Sequence, residues 1–278
     1  MAINLAHLFC GEGIYSFPFL TLCLFVVILV RYLVVAGLTW WLVCSRFNLL
    51  DQDIFQDIRS SVVSAAIFAM AMAAAIELHI LGYTRIYNQL GDHGWWYIGG
   101  SYCLVLIMQD SYFYITHRLF HCRSFYSWAH QGHHRSRRPS PWTSFAFEPM
   151  ESLAHAMFLL GVVCLIPLHL GTILAVLTTM TIWAVVNHLD LEQLPVRFPH
   201  HWLGRWIIGP AHHSVHHNSQ NKHFGLYFTF WDRLLDTEDR AYIYRIKDET
   251  CLPNLRWVPF IGQRWPLTSL TPSGRNRV

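Results

Sequence analysis

Charge is what this chain has least of. Only 13% of its 278 residues are Asp, Glu, Lys or Arg, against 53% hydrophobic, a balance too apolar for an ordinary soluble domain of this length. The net charge of +3 is small and dispersed, which leaves no basic face for nucleic acid. The seven cysteines stand apart, at positions 10, 23, 44, 103, 122, 164 and 251, with no Cys-x2-Cys pair. That argues against a finger-type zinc site and gives no sign of a disulfide framework. Neither a Gly-x-Gly-x2-Gly fingerprint nor a haem-attachment motif occurs, so the chain carries no recognisable redox group of its own. The first 30 residues lack Lys and Arg. No cleavable signal peptide is therefore expected, and the first apolar block reads as a retained span.

What fills the space left by charge is long apolar runs. Phe17 to Cys44 is interrupted only by Arg31, Ser61 to Leu78 by Glu77, and Trp95 to Ile115 by Asp110; each is long enough to cross about 30 Å of hydrocarbon as a helix. A fourth block, Leu153 to Val186, breaks at Pro167-Leu-His-Leu-Gly171 and reads as a helical hairpin. Five of the 20 Lys and Arg fall between residues 116 and 150 and eleven beyond 190, which predicts five passes with both of those segments cytosolic. The expected fold is all-α: a multi-pass transmembrane bundle under a cytosolic helical cap. Its expected parts are an N-terminal transmembrane region (1–94), a catalytic region (95–240) and a C-terminal cap (241–278). Leu194 to Ile208, mixing Trp and Phe with Arg and His, reads as either an interfacial stretch or an ordinary tertiary contact.

Histidine is the one polar residue in excess, with 18 copies. Most of the excess lies in three clusters: His117-Arg-Leu-Phe-His121, His130-Gln-Gly-His133-His134 and His213-Ser-Val-His216-His217. On a helix, imidazoles at i and i+3 or i+4 share a face and can close on one ion. His188, where the hairpin's second arm should emerge, is a ninth candidate. Nine imidazoles exceed what one ion takes and point to two ions, while imidazole chemistry alone leaves zinc, copper, iron and nickel open. Asp110, Tyr114, His117 and His121 fall on one helical stripe, which makes Asp110 a candidate partner behind the ligands.

These three clusters, with Asp110 seven residues before His117 and with Phe224-Gly225 and Trp231-Asp232-Arg233-Leu234 after the third, resemble the fatty acid hydroxylase superfamily and, within it, the sterol desaturase-like branch. The resemblance covers about residues 95 to 240. It implies a centre of two iron ions on His117, His121, His130, His133, His134, His188, His213, His216 and His217. It also implies dioxygen as oxidant and a lipid drawn from the bilayer. The chain departs from the pattern at His188-Leu-Asp190, at Glu148-Pro-Met-Glu151 and at Asp236, where a glycine is usual. Glu148 and Asp190 are accordingly candidates for a carboxylate ligand or for a hydrogen bond to a ligating imidazole.

The function expected is hydroxylation or desaturation of an unactivated lipid C–H bond, with two electrons supplied by a separate cytochrome-like or ferredoxin donor. A zinc-dependent lipid hydrolase is the alternative, since imidazole-bound zinc activates water. A metal transporter is a third reading, weakened by the scarcity of ionisable residues within the spans.

Overall fold

A computed structural model describes residues 16–44, 53–136, 139–189 and 202–239. Asp190, the first part of the aromatic-basic stretch and the whole 241–278 segment lie outside the described residues. Eight α-helices carry the described chain: α1 (Phe17–Thr39), α2 (Asp53–Ile80), α3 (Gly94–Phe120), α4 (Arg123–Ala129), α5 (Pro149–Leu165), α6 (Leu170–Asn187), α7 (Pro210–Ser219) and α8 (Phe230–Leu234). Prolines open α1, α5 and α7 in their first turns, where the missing N–H costs nothing.

Among the described residues three helices are long and apolar enough to cross a membrane: Phe17–Val43, Ile54–Ile80 and Leu170–Asn187, fewer than the five expected passes. The first hairpin arm, Pro149–Leu165, is shorter. Helix α3 has the length, but Ser101, Gln109, Asp110 and Ser111 interrupt its apolar character, and it does not join the three. The hairpin does turn at the expected place, with α5 ending at Leu165 and α6 starting at Leu170. There Leu168 and His169 pair in parallel with Ile86 and Tyr87, a two-residue ladder too short to leave a sequence pattern.

Small residues set how close the helices come. Ala65, Ala69 and Ala73 repeat every four residues along α2 and are fully buried; the first two form the α1–α2 seam with Ile28, a close approach typical of helices in lipid. A second core joins α3, α5 and α6 through Val105, Phe158, Val162, Val163 and Val176. Between these two seams lies an apolar cavity of about 570 Å³. Above it, one end of the bundle is closed by α4, the Pro141–Phe145 turn, α7 and α8, and this end carries the histidines.

Candidate metal centre

Helix α3 brings His117 in its last turn and His121 as its C-cap. The short helix α4 turns the chain back, so that His130, its C-cap, and the His133–Arg135 turn face that end of α3. His188 caps the C-terminus of α6, and α7 supplies His213, His216 and His217. All nine come together, in two groups: His117, His121, His130, His134 and His216 in one, and His133, His188, His213 and His217 in the other. Within each group one ring nitrogen per residue lies within 4.8 Å of the others. The groups adjoin, with the rings of His134 and His217 4.7 Å apart and those of His130 and His133 5.2 Å apart.

Both clusters sort the same way, on the helix α7 and on the tight turns after α4. In each His-x2-His-His cluster the first and last imidazoles, four residues apart, go to one group, and the middle one, rotated around the axis, goes to the other. His130 and His134 thus flank the first group while His133 joins the second, and His213 and His217 flank the second while His216 joins the first. Each cluster serves both groups.

Hydrogen bonds on the far side of the rings decide what the centre can hold. The Nδ1–H groups of His117, His133, His188, His216 and His217 donate to the carbonyls of Phe224, Ala146, Ala184, Lys222 and Ser136 at 3.0, 3.3, 2.6, 2.7 and 3.0 Å. His130 Nδ1 meets Glu151 Oε2 at 2.8 Å. A carbonyl can only accept, so in the neutral rings Nε2 keeps its lone pair, aimed inward. The Nε2 atoms approach one another closely: His117 to His130 at 3.0 Å, and His121 to His134 and to His216, and His213 to His188 and to His217, each at 3.1 Å. Between His117 and His130, both with Nδ1 engaged, the facing lone pairs repel in the absence of an ion, and all five spacings match neighbouring ligands on an ion at about 2.0–2.1 Å, which stand about 2.9–3.4 Å apart. The donor set therefore fits two metal ions.

Burial keeps these rings neutral and ready to ligate. Loss of solvent, then the neighbouring imidazoles, pull His130, His134, His213, His216 and His217 far below the usual range. Burial brings His121 to about 4 and His188 to about 3. Proton competition for the lone pairs is thereby removed near neutral pH.

Of the three candidate carboxylates, Asp190 lies outside the described residues, and Asp110 and Glu148 contact backbone. Asp110 touches no imidazole; its Oδ1 accepts the backbone N–H groups of Leu226, Tyr227 and Phe228 at 3.3, 2.7 and 3.1 Å. Asp232 accepts those of Phe224 and Gly225 at 2.8 and 2.9 Å and the Thr237 hydroxyl at 2.7 Å. Together they pin the loop whose Phe224 carbonyl orients His117. Gly225 is required in that loop, because a Cβ there would stand 2.6 Å from the Phe228 carbonyl oxygen. Asp236 adopts φ +54°, the left-handed conformation that explains a usual glycine and that Asp tolerates.

Glu148 packs its carboxylate against Gly132, beside the backbone of the second cluster and not on an imidazole. Glu151, one turn further, is the acid that reaches a ring. Sequence reasoning quoted it without assigning it, although its spacing of four from His155 was a signal for a shared helical face. Asp57 was also missed: it accepts hydrogen bonds from Ser136 and Thr143 and so ties α2 to the segment whose carbonyl orients His217. His212 stays out of both groups and packs on His223, ring to ring at 5.1 Å. Trp206 makes a tertiary contact, with the Arg233 guanidinium 4.5 Å above its ring.

A mostly helical membrane protein with two adjoining imidazole pockets against an apolar cavity defines a di-metal class of site. Comparison with known proteins identifies the part that carries the histidines: the family model for fatty acid hydroxylase matches residues 102–237, just under half of the chain. Its relatives are distant. Delta(7)-sterol 5(6)-desaturase ERG3B of Gibberella zeae is 28% identical over 206 residues, covering 72% of this chain and 62% of that protein. Lathosterol oxidase of Homo sapiens is 28% identical over 187 residues, covering 66% and 61%. Delta(7)-sterol 5(6)-desaturase erg3C of Aspergillus fumigatus is 26% identical over 226 residues, covering 72% and 69%. The chain thus aligns with about three-fifths of the length of the first two. No solved structure matches it.

Proposed function

We propose that this protein is a membrane-bound, di-iron, dioxygen-dependent oxidoreductase that hydroxylates or desaturates a C–H bond of a lipid. The observation that carries the proposal is the convergence of inward-facing Nε2 lone pairs in two adjoining pockets, at one end of an apolar cavity sized for a single small molecule. His117, His121, His130, His134 and His216 would hold one ion and His133, His188, His213 and His217 the other. Five imidazoles exceed the tetrahedral set of zinc, which favours iron over a zinc hydrolase. When bound, the pair of irons supplies the oxidising power, with dioxygen as cosubstrate, that no side chain possesses.

The chain's own residues supply position and dryness. Phe147 stacks on His133 at 5.6 Å and Phe113 packs against His117 at 4.9 Å. Both also line the cavity, so a lipid seated there meets the centre through apolar side chains that exclude water. Glu151 draws the Nδ1 proton of His130 and makes that ring a stronger donor. Electrons come from a separate cytochrome-like or ferredoxin protein. The centre faces the cytosol in this reading, as the Lys and Arg distribution requires, and the parts 1–94, 95–240 and 241–278 serve as membrane anchor, catalytic region and cap.

The test is incubation of the iron-loaded protein in lipid vesicles with an electron donor and labelled dioxygen. Consumption of oxygen coupled to a new hydroxyl or double bond in a lipid is expected. Oxidation of nothing by the iron form, with ester hydrolysis by the zinc form, would replace this reading with the hydrolase.

A further inference from the structure

His155, on α5, belongs to neither metal pocket, yet its ring lines the apolar cavity. It lies in a layer of three rings: it stacks on Phe113 at 5.2 Å and 13° and meets Phe147 edge-on at 5.3 Å. Phe113 packs in turn against His117 of the first pocket and Phe147 on His133 of the second, so the layer lies between the pockets and the cavity. His155 is its one polar member. Its Nε2 is buried without a hydrogen-bond partner, a costly state unless an acceptor stands close by.

That acceptor is Glu151 Oε1, one turn back on the same helix at 3.7 Å. Glu151 is buried, its Oε2 is committed to His130 at 2.8 Å, and among the described residues Oε1 has no other hydrogen-bond or ion-pair partner. A carboxylate held through one oxygen alone swings about its last torsion, which has broad wells, and each swing loosens its hold on the His130 ring. Holding both oxygens stops this. A separation of 3.7 Å is too long for a hydrogen bond, and an approach of about 0.5–1 Å completes one. Beside a carboxylate oxygen Nε2 carries the proton, since a bare lone pair there would be repelled.

We infer that His155 is a positioning residue for the first metal pocket, donating from Nε2 to Glu151 Oε1 so that Oε2 stays on His130. The inference rests on the proposed di-metal reading and adds a residue outside the nine imidazoles to one half of it. The series His155, Glu151, His130 runs from the cavity wall to the first ion, so the oily side of the centre helps to set how firmly that ion is gripped.

The experiment is chelator competition and visible spectroscopy of cobalt(II) bound to the full chain in lipid nanodiscs, for wild type, H155F, H155Q, H155N, E151Q, H216A and the double variant E151Q/H155F. H155F should weaken one ion by about tenfold, the ion that H216A removes, and shift only that ion's absorption bands. H155Q, whose amide N–H reaches about as far as Nε2, should recover most of the loss, and the shorter H155N should not. In the E151Q background H155F should add little, because its effect passes through the carboxylate. Unchanged cobalt affinity in H155F, equal loss from both pockets, recovery by H155N as full as by H155Q, or losses that add in the double variant would each overturn the inference. Should H155F fail to insert, the contrast between H155Q and H155N still decides. Cobalt binding needs neither dioxygen nor electrons, so two bound ions indifferent to His155 would sink this inference alone, whereas no cobalt uptake at all would sink the di-metal reading with it.

Discussion

The two imidazole pockets share walls yet are braced differently. In the five-member pocket two rings come from one end of α3, and one ring, His130, is backed by the carboxylate of Glu151. In the four-member pocket the rings come from a short turn, from the C-cap of α6 and from α7, and the backing partners seen for His133, His188 and His217 are all neutral carbonyls. A carboxylate behind an imidazole raises its basicity more than a carbonyl does. The pockets should therefore differ in grip, the first tighter and the second more easily emptied, while each meets the cavity through an aromatic ring, Phe113 for the first and Phe147 for the second.

The sharpest way to break this comparison uses two rings of one helix. H216A should empty the five-member pocket and H213A the four-member one. Each should cut turnover by more than about 100-fold, with the metal content of purified protein falling by about one ion per chain. Loss of both ions from either variant would mean that the pockets are not separable. E151Q should weaken only the first pocket, by about 10- to 100-fold in metal affinity by competition with a chelator; an equal effect on both would remove the proposed asymmetry.

Acid should act on the metal-free protein in a defined direction. Unfolded imidazoles titrate near 6.5, and the folded ones are held lower, so between these values the unfolded chain binds more protons. Stability is then complete above about pH 6.5 and falls as the pH drops toward about 4 for His121, in the first pocket, and about 3 for His188, in the second. Denaturant melts of the apoprotein across this range should show it, and metal loading should be lost over the same range. D110N should cost about 1–3 kcal/mol of stability, since three buried N–H groups lose their charged acceptor, and should disturb the first pocket through the Phe224 carbonyl. The smallest effect belongs to H169A. His169 accepts from Gly171 N–H at 3.0 Å at the start of α6, so its loss should cost about 1 kcal/mol and leave the metal content of both pockets unchanged.

The histidine spacing made both pockets legible as a set, because the period of a helix is written directly in the offsets of three and four residues. How the set divides is visible only in the fold, where the middle ring of each cluster turns away from its neighbours. The helices were legible from their apolar runs, and the hairpin from Pro167 and Gly171. The number of spans was not, because α3 mixes lipid-like and polar residues so as to connect the bundle to the centre. Glu151 and Asp57 escaped notice since a carboxylate's role depends on which ring or hydroxyl is folded against it, and those partners lie 21 and 79 residues away.

The order in which the chain leaves the ribosome separates the pockets in time. Four imidazoles of the first, His117, His121, His130 and His134, emerge within a span of 18 residues, whereas the second has only His133 until His188 appears and waits for α7 to gain His213 and His217. A nascent chain thus carries four of the first pocket's nitrogens long before the second pocket has more than one ring, so an ion met during synthesis would find the first half of the centre ahead of the other.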